Sequence, residues 1–214
     1  MNITEAIAAR RSIRAFLSRP VEPEKLAAMF DTAKHSPSWA NSQPWEAFVA
    51  TGETLERIKA GFQACYADKV AVAPETPRPV AWSEPAIKRR EALHPGMERD
   101  CGEAAKEFGK LNQTLFRAPA VIYLCMDRRL SQWSLYDIGA YAQSLMLAAV
   151  EQGLGTIPAI QLTNFPELLH RELQIPEQMQ ITIGIAVGYP DLEHGINRFR
   201  SERVQPEQNV HFFN

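Results

Sequence analysis

Cysteine is scarce in this sequence, with three residues in 214, at positions 65, 101 and 125. Their number is odd, their spacing is wide, and none forms a C-x-x-C pair. The pattern therefore favours neither a disulfide framework nor a zinc site. We interpret Cys65, Cys101 and Cys125 as unpaired thiols in a reducing compartment.

An excess of charge of one sign is also lacking. The chain carries 23 basic and 25 acidic residues, a net charge of −2. This balance provides no field that would hold a nucleic-acid backbone or an anionic membrane, so neither partner is expected. Any anion that the protein binds must be held by a local cluster of cations.

Long hydrophobic runs are missing as well. No stretch approaches the roughly 18 apolar residues of a membrane span, and residues 1–16 contain Glu5 and no apolar core typical of a secretory signal. We expect a soluble, cytoplasmic protein.

The usual catalytic and metal-binding signatures are absent from the sequence. It contains no G-x-S-x-G, no H-E-x-x-H, no Walker loop and no G-x-G-x-x-G after a strand, and its five histidines are scattered. We therefore name no catalytic side chain and no metal site. An enzyme built from this sequence would take its chemistry from a cofactor.

Hydrophobic periodicity predicts a mixture of helices and strands in one domain over residues 1–214. Helices are predicted at residues 2–10, 23–34, 52–68, 98–116, 133–152 and 164–173. Strands are predicted at residues 46–51, 118–126, 156–162 and 180–187. Strands and helices do not alternate regularly, which indicates the α+β class.

Two segments stand apart from this pattern. Five prolines interrupt residues 70–96, so residues 70–116, called the cover segment here, are predicted to leave the core and to cover or bind something, with a short helix near 87–92. The C-terminal arm, residues 204–214, ends in the apolar Val210–Phe213, for which a partner subunit is one plausible anchor.

Two remote arginine clusters suggest a shared anionic ligand. Arg10-Arg11-Ser12-Ile13-Arg14 follows the first helix, and Arg200 and Arg203 stand near the other end. Arginine presents a planar donor fork that matches a phosphate, although a solvated basic patch would give the same pattern. Between them in sequence, the loop 36–45 carries two tryptophans and many small polar side chains, typical of a binding loop or of a plain turn.

Taken together, these motifs resemble the FMN-dependent nitroreductase family. The matching segments are R-R-S-x-R at 10–14, S-P-S-x-x-N-S-Q-P-W at 36–45, D-x-G at 137–139 with Gln143, L-A-A at 147–149, G-L-G-T at 153–156, V-G-Y-P at 187–190 and F-R-S-x-R at 199–203. Within the family, Trp82, Pro85, Arg89-Arg90 and Asn112 resemble the subgroup related to nitrobenzoate reductases.

The resemblance implies an α+β fold with a central mixed or antiparallel sheet flanked by helices, in an intertwined homodimer with FMN at the interface. The implied cofactor-binding residues are Arg10, Arg11, Ser12, Arg14, Pro37, Ser38, Trp39, Asn41, Pro158, Ala159, Ile160, Arg200 and Arg203. Arg10 and Ser12 would hold the ribityl-phosphate arm, Arg203 with Arg200 would reach the phosphate, and Arg14 would lie near the pyrimidine edge. Residues 37–41 would come from the other subunit, and residues 158–160 would meet the N5 side of the flavin.

The implied activity is a ping-pong reaction. NAD(P)H would deliver hydride to flavin N5 and leave, and an electron-poor aromatic, such as a nitroaromatic, or a quinone would then take its place. Quinone or enone reduction, dehalogenation, a non-enzymatic flavin-binding protein and a protein that binds another phosphate remain alternatives. Many relatives have Ser or Gly where this sequence has Trp39, which puts the substrate range in question.

Overall fold

A four-stranded antiparallel sheet lies at the centre of the protein, in a computed structural model that describes residues 1–213. Its strands are β1 (Glu46–Thr51), β2 (Ala120–Asp127), β3 (Gly155–Ala159) and β4 (Met179–Gly188), in the order β1-β2-β4-β3. All neighbouring strands pair antiparallel. Of the two predicted arrangements, the antiparallel one is therefore confirmed, and parallel pairing in the described residues is confined to one isolated bridge, between Ser12 and Thr156.

Eight helices flank this sheet in the described chain. They are α1 (Ile3–Ala9), α2 (Pro23–Ala33), α3 (Gly52–Ala67), α4 (Glu84–Glu91), α5 (Leu93–Cys101), α6 (Phe108–Gln113), α7 (Gln132–Glu151) and α8 (Pro166–Leu173). The predicted α+β class is thus confirmed. None of the helices in residues 1–213 is long and apolar enough to cross a membrane.

The core lies on both faces of β2, because successive side chains of a strand point to opposite faces. Ile122 and Leu124 pack with α2 and α7 on one face. Val121 and Tyr123 pack with α3 and α8 on the other. This explains why β2 reads in the sequence as a continuous apolar run rather than an alternating one.

The single helix predicted over 98–116 is wrong. Helix α5 ends at Cys101, because Gly102 has a φ of +55°, a left-handed conformation that favours glycine. A 3₁₀ turn over Gly102–Glu107 then leads into α6. Beyond α6, Leu115 and Phe116 also adopt positive φ and are completely buried, so tertiary packing overrides the helical pattern here.

The strand predicted over 156–162 is too long. It ends at Ala159, and residues Ile160–Thr163 form a 3₁₀ turn. The turn lies directly on β4, since a Cβ on Gly184 would come within 2.5 Å of the Cβ of Leu162. Only a glycine at position 184 allows the turn to pack this closely against β4.

The first part of the cover segment is fastened to the sheet by a set of residues called the Glu75 cluster here: Glu75, Arg128, His170 and the backbone of Ile181. The Ile181 N–H donates to Oε2 of Glu75 at 2.6 Å, His170 Nε2 lies 3.2 Å from the same oxygen, and Arg128 pairs with Oε1. Burial raises the pKa of Glu75, but the three hydrogen bonds outweigh it and hold that pKa below its usual range.

The C-terminal arm ends in exposed aromatic side chains. Phe212 and Phe213 are 88% and 93% exposed. Asn214, the last residue of the predicted arm, lies outside the described residues. Within one chain the apolar end is therefore not covered, as the sequence led us to expect.

Candidate functional site

The first arginine cluster is an extended segment that follows α1. Asn2 forms a capping box with Glu5 at the start of this helix, and the helix ends at Ala9. Ser12 then bridges to Thr156 at the start of β3, where the Ile13 N–H donates to the Thr156 carbonyl at 2.9 Å. Because a Cβ at Gly155 would come within 2.6 Å of Ile13, glycine is needed there for the segment to lie this close to the strand.

Asn197 joins this segment to the second arginine cluster. Its side-chain oxygen accepts from the backbone N–H of Arg14 at 2.7 Å and of Ala15 at 3.3 Å. Its side-chain nitrogen donates to the carbonyls of Ala15 at 2.7 Å and of Asp191 at 2.8 Å. One buried amide thus holds together two segments that lie more than 180 residues apart in the sequence.

The two clusters line one cavity of about 450 Å³, called the arginine cavity here. Its polar lining consists of Arg10, Arg11, Ser12, Arg14, Gln143, Arg200, Ser201 and Arg203, with Phe199 and α1 side chains completing it. The structure therefore brings together six of the predicted cofactor-binding residues, from both ends of the chain. Such a concentration of guanidinium groups is suited to a phosphate.

No acidic side chain neutralises the arginine cavity. Within residues 1–213, no carboxylate forms an ion pair with any of its five arginines. Burial, and then the nearby charge of Arg203, lower the pKa of Arg10, while burial and the charge of Arg200 lower that of Arg11. These groups stay charged at neutral pH, so the cavity holds unbalanced positive charge that an anionic ligand would stabilise.

Arg14 is the most buried of these arginines, with 9% of its surface exposed. Its guanidinium donates to the Ser12 carbonyl at 3.1 Å, while its Nε is buried and has no hydrogen-bond partner in the described chain. The rings of Phe199 and Phe108 lie 5.4 and 5.8 Å from the guanidinium carbon. Burial lowers the pKa of Arg14. An unsatisfied cationic donor beside aromatic rings fits a flat ligand that carries hydrogen-bond acceptors.

The loop 36–45 lies outside the arginine cavity of its own chain. Trp39–Asn41 form a 3₁₀ turn, and the Trp39 N–H donates to Asp137 of α7 at 3.1 Å. Trp39 is 70% exposed, and its ring lies 6.2 Å from that of Trp133. None of the predicted residues Pro37, Ser38, Trp39 and Asn41 lines the arginine cavity of its own chain.

The third group of predicted cofactor-binding residues, Pro158, Ala159 and Ile160, lies at the end of β3. Pro158 and Ala159 end the strand, and Ile160 begins the next turn. They do not line the arginine cavity. However, the bridge between Ser12 and Thr156 is parallel, so Arg14 and Pro158 both lie two residues beyond it on segments that start side by side.

Sequence reasoning missed the role of two residues. Asn197 was not expected to bind backbone groups, and its sequence neighbours Ile196 and Arg198 provide no local signal for this role. Phe108 of the cover segment was not expected to contact Arg14, because the predicted continuous helix hid the turn that places it there.

Comparison with known proteins agrees with this arrangement. The model of the Nitroreductase family matches residues 7–189. The 4-nitrobenzoate reductase of Pseudomonas putida is 30% identical, over 96% of this chain and 93% of that protein.

Two solved structures share the fold over the full length of both chains. The FMN and NADPH-dependent nitroreductase NfnB of Sphigopyxis sp. strain HMH superimposes with a TM-score of 0.92 at 28% identity. The FMN-dependent nitroreductase NfnB of Mycobacterium smegmatis, in complex with NADPH, superimposes with a TM-score of 0.90 at 25% identity. Its sequence, its fold and its arginine cavity together place this chain in the nitroreductase family.

Proposed function

We propose that this protein is an FMN-dependent oxidoreductase that uses NAD(P)H to reduce nitroaromatic or similar electron-poor aromatic and quinone substrates. The arginine cavity is the observation that carries this proposal, because five arginines from both ends of the chain meet there and none of them pairs with a carboxylate of residues 1–213. The names of the relatives support the choice of FMN, of a reduced nicotinamide and of nitroaromatic acceptors.

We assign the phosphate end of FMN to the arginine cavity. Arg10 and Ser12 hold the ribityl-phosphate arm, and Arg203, with Arg200, binds the phosphate itself. Arg11 lies in the same wall and adds positive charge. Hydrogen bonds between guanidinium and phosphate are charge-assisted and bidentate, so they fix the orientation of the cofactor as well as its affinity.

We assign Arg14 to the pyrimidine edge of the flavin, and residues 158–160 to its N5 side. FMN, when bound, supplies the redox chemistry by accepting hydride from the nicotinamide and passing electrons to the acceptor. A buried cation at the pyrimidine edge stabilises the negative charge that develops there on reduction. The unpartnered Nε of Arg14 would gain an acceptor in this arrangement. No protein side chain is assigned as an obligate acid.

We further propose that the enzyme is a homodimer in which Pro37, Ser38, Trp39 and Asn41 complete the site of the partner. Exposed Trp39, Trp133 and Tyr136 form an aromatic surface that a second copy would cover. The C-terminal arm would be anchored in the same assembly, so removal of residues 204–214 should weaken the dimer. A flavin-loaded, active monomer in a sizing experiment would contradict this part of the proposal.

In the proposed organisation, the chain is one domain and the cover segment lies over the substrate space, since Phe108 contacts Arg14. A cytoplasmic location accords with the three cysteines, all of which are free.

The experiment that tests the proposed function starts with the purified protein. Its cofactor is extracted and identified, and the loaded protein is then titrated with NADH and with NADPH under anaerobic conditions. Bleaching of the flavin absorbance, followed by reoxidation with a panel of nitroaromatics, quinones and enones, is the expected result. FAD in place of FMN, or no flavin after reconstitution, would overturn the cofactor assignment. A bound flavin that neither nucleotide reduces would indicate a non-enzymatic carrier.

A further inference from the structure

A second cavity lies against the outer side of the arginine cavity. It has a volume of about 430 Å³ and lies between helices α4 and α5 and the chain that follows Phe199. We call it the outer cavity. A Cβ on Gly96 of α5 would come within 3.2 Å of the Phe199 ring, so the helix and the following chain are in direct contact at one end.

The outer cavity is strongly basic. Arg89, Arg99, Arg200 and Arg203 line it, and Glu202 is the one acidic residue of its described lining. Arg99 is balanced, because its Nε lies 2.8 Å from Oδ1 of Asp100, and this contact raises its pKa. Arg89 forms no ion pair with any carboxylate in residues 1–213.

The two cavities share one wall. Phe199, Arg200, Ser201 and Arg203 belong to both linings. The Arg203 guanidinium is held by the Ser201 carbonyl at 2.9 Å and by the Ser201 hydroxyl at 2.7 Å. If Arg200 and Arg203 bind the phosphate of FMN, Arg89 on the opposite wall is the cation left for a second anionic group. That group would be near the flavin but separate from it.

The remaining lining of the outer cavity suits a nucleoside. Leu93 and Ala92 give it an apolar side, and the amides of Gln205 and Gln208 offer both donors and acceptors. Its volume is within the usual range for small-ligand sites. An apolar side, amides and an uncommitted guanidinium together are the features that bind a base and a phosphate.

We propose that the outer cavity binds the adenosine end of NADPH, with Arg89 as the ligand of its 2′-phosphate, so that the enzyme prefers NADPH to NADH. This inference rests on the proposed function, which supplies a reduced dinucleotide as co-substrate. The 2′-phosphate is a terminal dianion that NADH lacks, and a single arginine can bind it through two parallel hydrogen bonds. Discrimination between the two nucleotides then depends on Arg89.

Binding of nucleotide fragments tests the site without any turnover. The flavin-loaded protein is titrated by calorimetry with adenosine 2′,5′-bisphosphate and with adenosine 5′-monophosphate, which differ only in the 2′-phosphate. We expect the bisphosphate to bind at least about tenfold more tightly, and Arg89→Ala to weaken it roughly ten- to a hundredfold without affecting the monophosphate.

Arg90→Ala is the matched control. Arg90 is the next residue of the same helix, but its guanidinium lies over the ring of Trp82, 4.4 Å from the centroid, and it does not line the outer cavity. The Arg90→Ala variant should bind both nucleotide fragments with the affinities of the unaltered protein. Arg89→Lys keeps the charge but loses the planar fork, and should bind the bisphosphate with intermediate affinity.

Steady-state kinetics add a second measurement. Arg89→Ala should lower kcat/KM for NADPH about tenfold or more, leave kcat/KM for NADH within about twofold, and retain its full flavin content. Equal affinities of the two fragments for the unaltered protein, or equal losses with both dinucleotides in Arg89→Ala, would overturn the inference. A protein that binds no flavin would instead refute the proposed function, and the fragment titration on that protein would still decide whether the outer cavity is a nucleotide site.

Discussion

The Glu75 cluster and the arginine cavity both concentrate charged side chains, but they do so in opposite ways. Around Glu75, one carboxylate with 12% of its side chain exposed is surrounded by an arginine, a histidine and a backbone N–H. In the arginine cavity, five arginines face one another without an acid in the described chain. A cluster whose charges are balanced internally stabilises the fold, whereas one whose charges are not is suited to a ligand.

The structure of each region agrees with this difference. Glu75 ties the start of the cover segment to β4 at a point where the register between β2 and β4 shifts, so that Ile181 pairs with Cys125 and Ile183 with Leu124. Asn197, by contrast, binds only backbone groups, and no arginine of the cavity forms an ion pair with a carboxylate of residues 1–213. The first network fastens the cover segment to the sheet, whereas the second joins the two backbone segments that carry the arginines of the cavity.

The largest expected effect is on stability. Glu75→Ala should lower the free energy of unfolding by roughly 3 kcal/mol, because it leaves the Ile181 N–H and Nη2 of Arg128 without their acceptor and removes the partner of His170. Chemical denaturation of the apo-protein measures this effect. FMN affinity should not change under conditions where the variant is folded.

Glu103→Ala is the control for the Glu75 substitution. Its ion pair with Lys106 is almost fully exposed on both sides, so the free energy of unfolding should change by less than about 0.5 kcal/mol. A loss in Glu75→Ala no larger than in this control would remove the distinction between the two clusters.

The second prediction concerns the arginine cavity, where we expect substitutions to weaken ligand binding without lowering stability. Arg10→Ala and Arg203→Ala should each weaken FMN binding by roughly 1.5–3 kcal/mol, or one to two decades in the dissociation constant. The apo-protein should be no less stable, since each substitution relieves repulsion between the two arginines. Fluorescence titration of the apo-protein with FMN measures the affinity. Unchanged affinity in both variants would refute the phosphate assignment.

The third prediction concerns pH and the Glu75 cluster. The pKa of Glu75 is lowered in the folded protein, so its contribution to stability is present above the usual carboxyl pKa and is lost as pH falls through the folded value. The difference in unfolding free energy between the unaltered protein and Glu75→Gln should therefore shrink below about pH 4. Denaturation curves from pH 7 to pH 3 test this, and a difference that stays constant would contradict it.

The smallest expected effect concerns Trp39, which lies outside both clusters. If this ring borders the partner's substrate space, Trp39→Ser should lower kcat/KM several-fold for flat nitroaromatics and less, or not at all, for bulkier acceptors. Trp133→Ser is the comparison, because the centroid of its ring lies 6.2 Å from that of Trp39 and both rings are exposed. If kcat/KM changes by the same factor for all acceptors in both variants, and the dimer is weaker, Trp39 only packs at the interface.

The sequence predicted most of the fold, since the apolar run of β2 and the amphipathic pattern of α3 depend on local periodicity alone. It failed where long-range contacts decide the backbone. Gly102 ends α5 within a stretch whose apolar spacing is helical. Further along, the buried residues Leu115 and Phe116 adopt positive φ, which ends the helical conformation again. The 3₁₀ turn that follows β3 likewise packs Leu162 against Gly184, a long-range contact that no local pattern reveals.

The candidate site was predictable to a similar degree. The arginines were recognisable by residue type, and their convergence followed from the resemblance to a family. The hydrogen bonds of Asn197 and the contact between Phe108 and Arg14 depend on tertiary packing, so they could not be predicted from the sequence. The Glu75 cluster joins three distant segments, and nothing near Glu75 in the sequence indicates its partners.

The most direct test of the central claim, that the arginine cavity binds the phosphate of a flavin, compares FMN with riboflavin. The two ligands share the ring and the ribityl chain and differ only in the phosphate. Apo-protein should bind FMN at least about a hundredfold more tightly than riboflavin, and Arg10→Ala and Arg203→Ala should each reduce this ratio by about a decade or more while leaving riboflavin affinity unchanged. Equal affinities for FMN and riboflavin in the unaltered protein would contradict the account.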